Sequence, residues 1–154
     1  MEHKACIDAL NDLIKINNDR IAGYEKAIDE LKDGQDTDIK TLFSAMINES
    51  SNYKRELEDL VKTYGGETTE GSTVSGKLYR AWMDVRAAFT GGDRATVLKN
   101  CEAGEDAAQK AYQMALDDDD VMQQTKTLIR QQQTELLQSH DKIKALRDLA
   151  VSSH

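Results

Sequence analysis

Four long segments of this 154-residue chain carry apolar residues at helical spacing, and no proline occurs anywhere in the sequence. Apolar residues three and four positions apart form one stripe on a helix, and another element must cover that stripe. Proline, which would break such a helix, is absent throughout. The pattern therefore predicts long helices over about residues 4–32, 37–64, 94–116 and 120–151. With 31% charged and only 5% aromatic residues, the composition is also typical of helices with polar outer faces.

The connections between these segments predict how the helices run. Only a few residues separate the first segment from the second and the third from the fourth, so each pair should form an antiparallel hairpin. The second and third segments are separated by a Gly-, Ser- and Thr-rich stretch over 67–76 and a short amphipathic segment over 77–89. This segment places Trp82 on its apolar face, and we expect it to be a helix packed against the core.

A connection of this length could run from one end of a bundle to the other. One long crossover is the ferritin-like arrangement. We therefore predict an all-α, ferritin-like four-helix bundle over residues 1–154, with one long crossover that carries a short extra helix. A plain up-and-down bundle with a decorated loop is the alternative.

The charge of the chain argues against several classes of partner. Binding to nucleic acid needs a basic stripe on the protein surface. This chain has a net charge of -8 and no run of Lys or Arg, so nucleic-acid binding is disfavoured. No apolar run approaches the roughly 20 residues that a membrane span requires. The opening residues, MEHKACIDAL, contain no apolar signal region. We expect a cytoplasmic protein without a membrane span and without a nucleic-acid partner.

The sequence supports neither a disulfide or zinc site at the cysteines nor a calcium site at the run of aspartates. Cys6 and Cys101 stand in no CxxC or CxxH pattern, and they should lie too far apart for a disulfide. The Asp117–Asp120 run lacks the alternating ligands, central Gly and closing Glu of a calcium loop. We expect these acids to lie at the start of the fourth helix, where the helix dipole favours negative charge.

Each long segment also places polar residues in the middle of its apolar stripe. Buried polar groups cost free energy unless they bond to one another, so polar residues at the same level should form one shared layer. The predicted buried polar layer contains Asn17, Tyr24, Ser50, Tyr53, Glu105, Tyr112, Gln133 and His140.

A longer stretch of sequence resembles a known family. The segment GKLYRAWMDVRAAFTGGDRATVLKNCEAGEDAAQKAYQMAL resembles the signature of a bacterial family of uncharacterised four-helix-bundle proteins in the ferritin-like superfamily. Within it, GEDAAQKAY is similar to the metal-binding helix of rubrerythrin-like members, in which a Glu precedes a Tyr at this spacing. The resemblance implies the crossover bundle and a bacterial source, but no activity.

The sequence lacks most of the ligands of a di-iron centre. Such a centre needs a Glu on each of two helices and a Glu-x-x-His pair on each of the other two. Glu105 matches this pattern, whereas Asn17 takes the other single-Glu position. Ser50 with Tyr53, and Gln133 with Leu136, stand where the two Glu-x-x-His pairs would fall.

Two functions follow from this comparison. The first is a non-catalytic structural or interaction protein without a cofactor, which binds an unknown protein partner or forms a homodimer, in bacterial housekeeping or stress physiology. The alternative is a metal-binding or redox protein whose reduced site, around Glu105 and His140, holds iron or another divalent metal. Nucleophilic catalysis by Cys101 is disfavoured, because no base lies near it on its stripe.

Overall fold

The computed structural model describes residues 3–31, 37–68 and 94–152, and these residues form four long helices. The helices are α1 (Lys4–Glu30), α2 (Thr37–Thr63), α3 (Arg94–Asp117) and α4 (Gln123–Ser152). The predicted all-α four-helix bundle is confirmed, with bounds within three residues of those expected. The predicted short helix over 77–89, including Trp82, lies outside the described residues.

Helix α4 begins at Gln123, three residues later than expected, because the aspartate run forms a turn rather than a first helical turn. The side chain of Asp118 accepts a hydrogen bond from the backbone N–H of Asp120 at 2.9 Å. The backbone N–H of Val121 donates to the carbonyl of Asp118 at 3.2 Å. Aspartate favours such local bonds over a helical conformation, so the helix starts only after the turn is complete.

Contacts at one end of the bundle place two helix starts beside two helix ends. Asn11, early in α1, donates to the carbonyl of Glu67, just after α2, at 3.0 Å. The backbone N–H of Met122, in the turn between α3 and α4, lies 3.3 Å from Cys6 Sγ. Tyr64 OH lies 2.6 Å from Thr125 Oγ1, which joins the end of α2 to the start of α4. Helices α1 and α4 therefore run away from this end, and α2 and α3 run towards it.

At the opposite end, Arg94 at the start of α3 makes a bidentate ion pair with Asp38 at the start of α2, at 2.7 and 3.1 Å. The chain leaves α2 at one end and enters α3 at the other, about 40 Å away for a helix of 27 residues. The end of α2 and the start of α3 thus lie at opposite ends of the bundle, as the crossover prediction requires. Cys6 and Cys101 are both buried and free.

The bundle core is assembled from the two hairpins. Contacts are densest within the α1–α2 and α3–α4 pairs, intermediate between α1 and α3, and sparse between α2 and α4. Fully buried apolar side chains from all four helices include Leu10, Leu13, Phe43, Leu57, Leu98, Ile129, Leu136 and Ile143. None of the described helices has a stretch long and apolar enough to cross a membrane. The polar layer lies inside this core, where α1 of one hairpin meets α3 of the other.

Candidate functional site

Arg20 is the centre of the polar layer, although it is only 1% exposed. Its Nε donates to Glu105 Oε1 on α3 at 2.8 Å. Its Nη1 donates to Ser50 Oγ on α2 at 2.8 Å and lies 2.9 Å from Glu49 Oε1. One guanidinium from α1 therefore ties together three helices, and it places a positive charge between two carboxylates.

Glu105 is the carboxylate on the α3 side of this pair, and it is completely buried. Its Oε1 accepts hydrogen bonds from both Arg20 and Tyr24 OH. The Arg20 guanidinium also lies over the Tyr24 ring, 5.4 Å from its centroid. An arginine offers rigid, planar donors to a carboxylate and stacks on aromatic rings, so these three side chains hold one another in place.

Burial and charge shift the pKa values of the groups around this pair. Burial lowers the pKa of Arg20, but the charges of Glu105 and Glu49 outweigh burial, so the net pKa is raised and the guanidinium stays protonated. Burial, with the charge of Glu105, raises the pKa of Tyr24 and of the Cys101 thiol well above their usual ranges. Both groups stay neutral at ordinary pH, which leaves Cys101 without the thiolate needed by a nucleophile.

A second set of bonds, made mainly by uncharged side chains, continues the layer along the bundle. Asn17 Nδ2 donates to Tyr112 OH at 2.9 Å, and Tyr112 OH donates to Gln132 Oε1 at 2.7 Å. Gln132 Nε2 in turn lies 3.3 Å from the carbonyl oxygen of Tyr53 and 3.2 Å from Glu56 Oε1. This chain of bonds crosses from α1 through α3 and α4 to α2, so every helix of the bundle contributes to the polar layer.

Six of the eight residues predicted for the layer are buried. They are Asn17, Tyr24, Ser50, Tyr53, Glu105 and Tyr112. Gln133 and His140 are only partly buried, and their places are taken by the preceding residues, Gln132 at 1% and Ser139 at 5% exposure. The predicted stripe of α4 was thus one residue out of phase at both positions, which corresponds to a rotation of about 100° around the helix.

His140 lies in a different polar group at the outer edge of α3 and α4. Its Nε2 lies 2.7 Å from Asp106 Oδ1, and its Nδ1 lies 3.2 Å from Asp141 Oδ1. Glu102, Asp106 and His140 each offer a ligand atom within 4.8 Å of the others. Arg147 lies 2.7 Å from Glu102, however, and so already supplies a positive charge to this group. His140 is thereby placed with Asp106 rather than with Glu105.

The residues in the layer do not fit the di-iron centre that the predicted ferritin-like relationship would imply. A di-iron centre needs several carboxylates to neutralise the positive charge of the metal ions. In this layer the positive charge that neutralises Glu105 and Glu49 comes instead from the Arg20 guanidinium. Glu105 Oε1 is already bonded to Arg20 and Tyr24, and only Oε2 makes no hydrogen bond. A single free oxygen beside a guanidinium is a poor ligand set for iron.

Arg20 and Glu49 were not predicted from the sequence. Each is a charged residue next to an uncharged one, Ile21 and the predicted layer residue Ser50 respectively, so a rule that puts charges outside excludes both. The available signal was the spacing of Arg20 from Asn17 and Tyr24, three residues after one and four before the other. That spacing puts all three on one helix face.

Comparison with known proteins identifies the family to which the chain belongs. Residues 5–118 match a domain of unknown function, DUF2383. The chain belongs to the DUF2383 family. The match contains Arg20, Glu49 and Glu105 of the charged layer, and it ends before α4 begins. The α4 residues Gln132 and Ser139 are therefore additions to the layer from outside the matched DUF2383 region. No curated protein matches the chain.

Proposed function

We propose that this DUF2383 protein is a non-catalytic structural or interaction protein in which an internal ion pair takes the place of a di-iron centre. The observation that supports it is the position of Arg20, whose guanidinium bonds Glu105 and Ser50 and pairs with Glu49. These are the helices and the level at which a ferritin-like protein would use carboxylates and histidines to hold metal.

The chemistry of the layer also supports a role without catalysis. Arg20 stays protonated, whereas Tyr24 and Cys101 stay neutral, so none of these three groups is ready to exchange a proton or attack a substrate near neutral pH. The directions of the four helices and the crossover support a ferritin-like relationship. On this proposal, this chain has a salt bridge at the place in the bundle where a ferritin-like protein would hold metal.

Elemental analysis of protein purified without chelators, and again after aerobic iron loading, tests this proposal. We expect far less than one iron per chain in both samples. The alternative, a metal-binding or redox protein with a reduced site around Glu105, predicts near one iron per chain that is lost in Glu105→Gln. His140→Gln is the matched control, because it removes a ligand from the edge group of Glu102, Asp106 and His140 but leaves the buried layer intact.

The partner in this proposal is another protein, and a homodimer is the first arrangement to test. Light scattering of the purified chain over a range of concentrations measures its mass in solution. A stable mass of twice the chain mass supports the homodimer. A constant monomer mass directs the search to a different protein partner.

A further inference from the structure

Three side chains with metal-binding chemistry meet at the outer edge of α3 and α4. They are Glu102 and Asp106 on α3 and His140 on α4, and we call them the edge cluster. Each side chain offers one ligand atom, and the three atoms lie within 4.8 Å of one another. Nitrogen and oxygen ligands of Zn²⁺ lie about 2 Å from the ion and therefore about 3.3 Å from each other. Small side-chain movements thus bring all three ligand atoms onto one ion.

The two helices hold the edge cluster at their contact. Glu102 and Asp106 are four residues apart and so project from the same face of α3. Across from them, His140 Nε2 lies 2.7 Å from Asp106 Oδ1. The side chains of Glu102 and His140 are 14% and 16% exposed, whereas that of Asp106 is 60% exposed. The cluster is therefore packed on one side and open on the other, where water can complete a coordination shell.

The ring of His140 has the orientation that a metal ligand needs. Its Nδ1 lies 3.2 Å from Asp141 Oδ1, and its Nε2 faces Asp106. A histidine that ligates a metal through one ring nitrogen almost always donates the N–H of the other to a carboxylate, a carbonyl or water. With the proton on Nδ1, Asp141 accepts this bond and the Nε2 lone pair is directed at the carboxylates of α3. Asp141 thus orients the ring without being one of the three ligands.

Glu102 contributes a buried oxygen that no hydrogen bond satisfies. Its Oε2 lies 2.7 Å from Arg147 Nη1, but this contact lacks the direction of a hydrogen bond and the oxygen has no other hydrogen-bond partner. Arg147 instead directs its Nε and Nη2 at Asp148 Oδ1, at 3.2 and 2.8 Å. A metal ion therefore reaches Glu102 without breaking a hydrogen bond of Arg147, which keeps Asp148 as its carboxylate partner.

The chemistry of the three donors indicates which metal fits. An imidazole nitrogen suits Zn²⁺ and other first-row transition metals, whereas Ca²⁺ and Mg²⁺ prefer a larger set of oxygen ligands. Two carboxylates and a neutral imidazole balance the double charge of one such ion. Zinc sites with three protein ligands keep a fourth position for water. The edge cluster has this composition, with its open side at Asp106.

We propose that the edge cluster binds one Zn²⁺ ion through Glu102, Asp106 and His140, with water in the fourth position. The ion clamps α3 to α4, because its ligands come from both helices. This inference goes beyond the proposed function and does not depend on it, since the buried Arg20–Glu105 pair shares no ligand with the edge cluster.

Titration calorimetry with Zn²⁺, on protein freed of metal by a chelator and then desalted, tests this proposal. We expect one Zn²⁺ per chain. Loss of a partner of a metal ligand weakens binding about tenfold or more, so His140→Gln and Asp106→Asn, which remove ligands, should each cost at least that factor. His3→Gln removes a histidine outside the edge cluster and should leave the affinity unchanged. No saturable binding, or an equal loss in His3→Gln, would overturn the proposal.

Co²⁺ in place of Zn²⁺ separates a built site from loose attraction to surface acids. Co²⁺ absorbs visible light strongly in a tetrahedral site and only weakly as the hydrated ion. We expect strong visible bands that disappear when Zn²⁺ is added and that are absent in His140→Gln. Weak bands like those of hydrated Co²⁺ would contradict the proposed coordination.

Two further variants locate the ion. Arg147→Gln removes a positive charge 2.7 Å from Glu102 and should tighten Zn²⁺ binding, so weaker binding in this variant would contradict the proposal. Glu105→Gln, in the buried layer, should keep the Zn²⁺ that His140→Gln loses. The reverse result, with Zn²⁺ lost in Glu105→Gln and kept in His140→Gln, would assign the ion to the buried layer and overturn both this inference and the proposed function.

Discussion

Arg20 is the largest of the fully buried side chains among the described residues. Its charged partners offset the free-energy cost of burying its guanidinium. Moving a charged group from water into a protein interior costs several kcal/mol, and attraction to an opposite charge offsets this only when the geometry is good. Arg20 meets that condition with a 2.8 Å bond to Glu105 and a 2.9 Å contact to Glu49. Removing Arg20 leaves Glu105 buried without a positive partner, and removing Glu105 leaves the buried Arg20 with Glu49 as its remaining carboxylate partner.

Substitutions at Glu105 should therefore differ sharply in cost. Glu105→Leu removes the acceptor of both Arg20 and Tyr24 and should lower the free energy of unfolding by about 3–5 kcal/mol. Glu105→Gln keeps a carbonyl oxygen for these donors, so it should cost about 1–3 kcal/mol less than the leucine variant. Urea unfolding followed by circular dichroism measures both values.

A double variant distinguishes the ion pair from simple packing. Arg20→Met with Glu105→Leu replaces both charges by apolar side chains, and it should be more stable than Glu105→Leu alone. If the two single losses simply add, the two side chains are not coupled, and the central place given to this pair is wrong.

At the scale of the helices, the sequence predicted which segments are helical but not always which face is buried. In α3, the predicted layer residues Glu105 and Tyr112 are buried, together with Leu98, Cys101 and Ala108 on the same helix face. In α4, the positions between Ile129 and Leu136 allow a step of three then four residues or of four then three. Both choices follow a helical repeat, so periodicity alone does not decide between Gln132 and Gln133.

The same ambiguity explains why the burial of Arg20 was not predicted from the sequence. Between Asn17 and Tyr24 either Arg20 or Ile21 can face inward, and hydrophobicity favours the isoleucine. The structure buries Arg20 because Glu105 and Glu49 on neighbouring helices receive its charge. The burial of Arg20 therefore depends on which helices pack together. The residue pattern of a single helix carries no information about that packing.

The close approach of the chain just after α2 to Ile7 on α1 makes Gly66 sensitive to substitution. A Cβ atom on Gly66 would lie 2.8 Å from both Cδ1 and Cγ2 of Ile7. Gly66→Ala should therefore lower the free energy of unfolding by about 1–3 kcal/mol. Adding Ile7→Ala should remove most of the clash, so the two changes should be less than additive in thermal unfolding.

Gly65 gives the matched control for this prediction. Nothing lies within 4 Å of a Cβ atom at Gly65, but its φ of 79° is unfavourable for any residue with a side chain. Gly65→Ala should cost about 1 kcal/mol whatever the residue at position 7. A cost at Gly66 that is also independent of Ile7 would show that the close approach is not its cause.

His140 should make the contact between α3 and α4 depend on pH. Burial alone lowers the pKa of His140, but the hydrogen bonds and charges of Asp141 and Asp106 raise it above the usual 6.5. A raised folded-state pKa means that the charged form stabilises the folded protein. This contribution is complete below pH 6.5 and is lost as the pH rises through the folded-state value.

The expected loss is at most about 1 kcal/mol, since His140 is partly exposed and solvent screens the interaction. Urea unfolding between about pH 5.5 and 8.5 measures it, with His140→Gln as the reference whose stability lacks this step. A wild-type curve parallel to that of His140→Gln would refute the assignment to this side chain.

At the scale of the whole molecule, the DUF2383 match ends before the last helix of the bundle. Helix α4 covers the apolar stripe of α3 and supplies Gln132 and Ser139 to the polar layer. A chain ending at residue 118 would expose that stripe, so we expect it to lack a cooperative thermal transition and to bind a hydrophobic dye. Cooperative unfolding of the truncated chain as a monomer would show that three helices suffice.

The Arg20–Glu105 pair joins residues 85 positions apart, whereas each hairpin is made of helices adjacent in the chain. Local hairpins form before distant segments meet, since long loops are slow to close. We therefore expect Arg20 to contact Ser50 and Glu49 within its own hairpin first, and to meet Glu105 only when the two hairpins dock. Weakening this pair should act mainly on the rate at which the hairpins separate, which makes one salt bridge a determinant of the lifetime of the folded molecule.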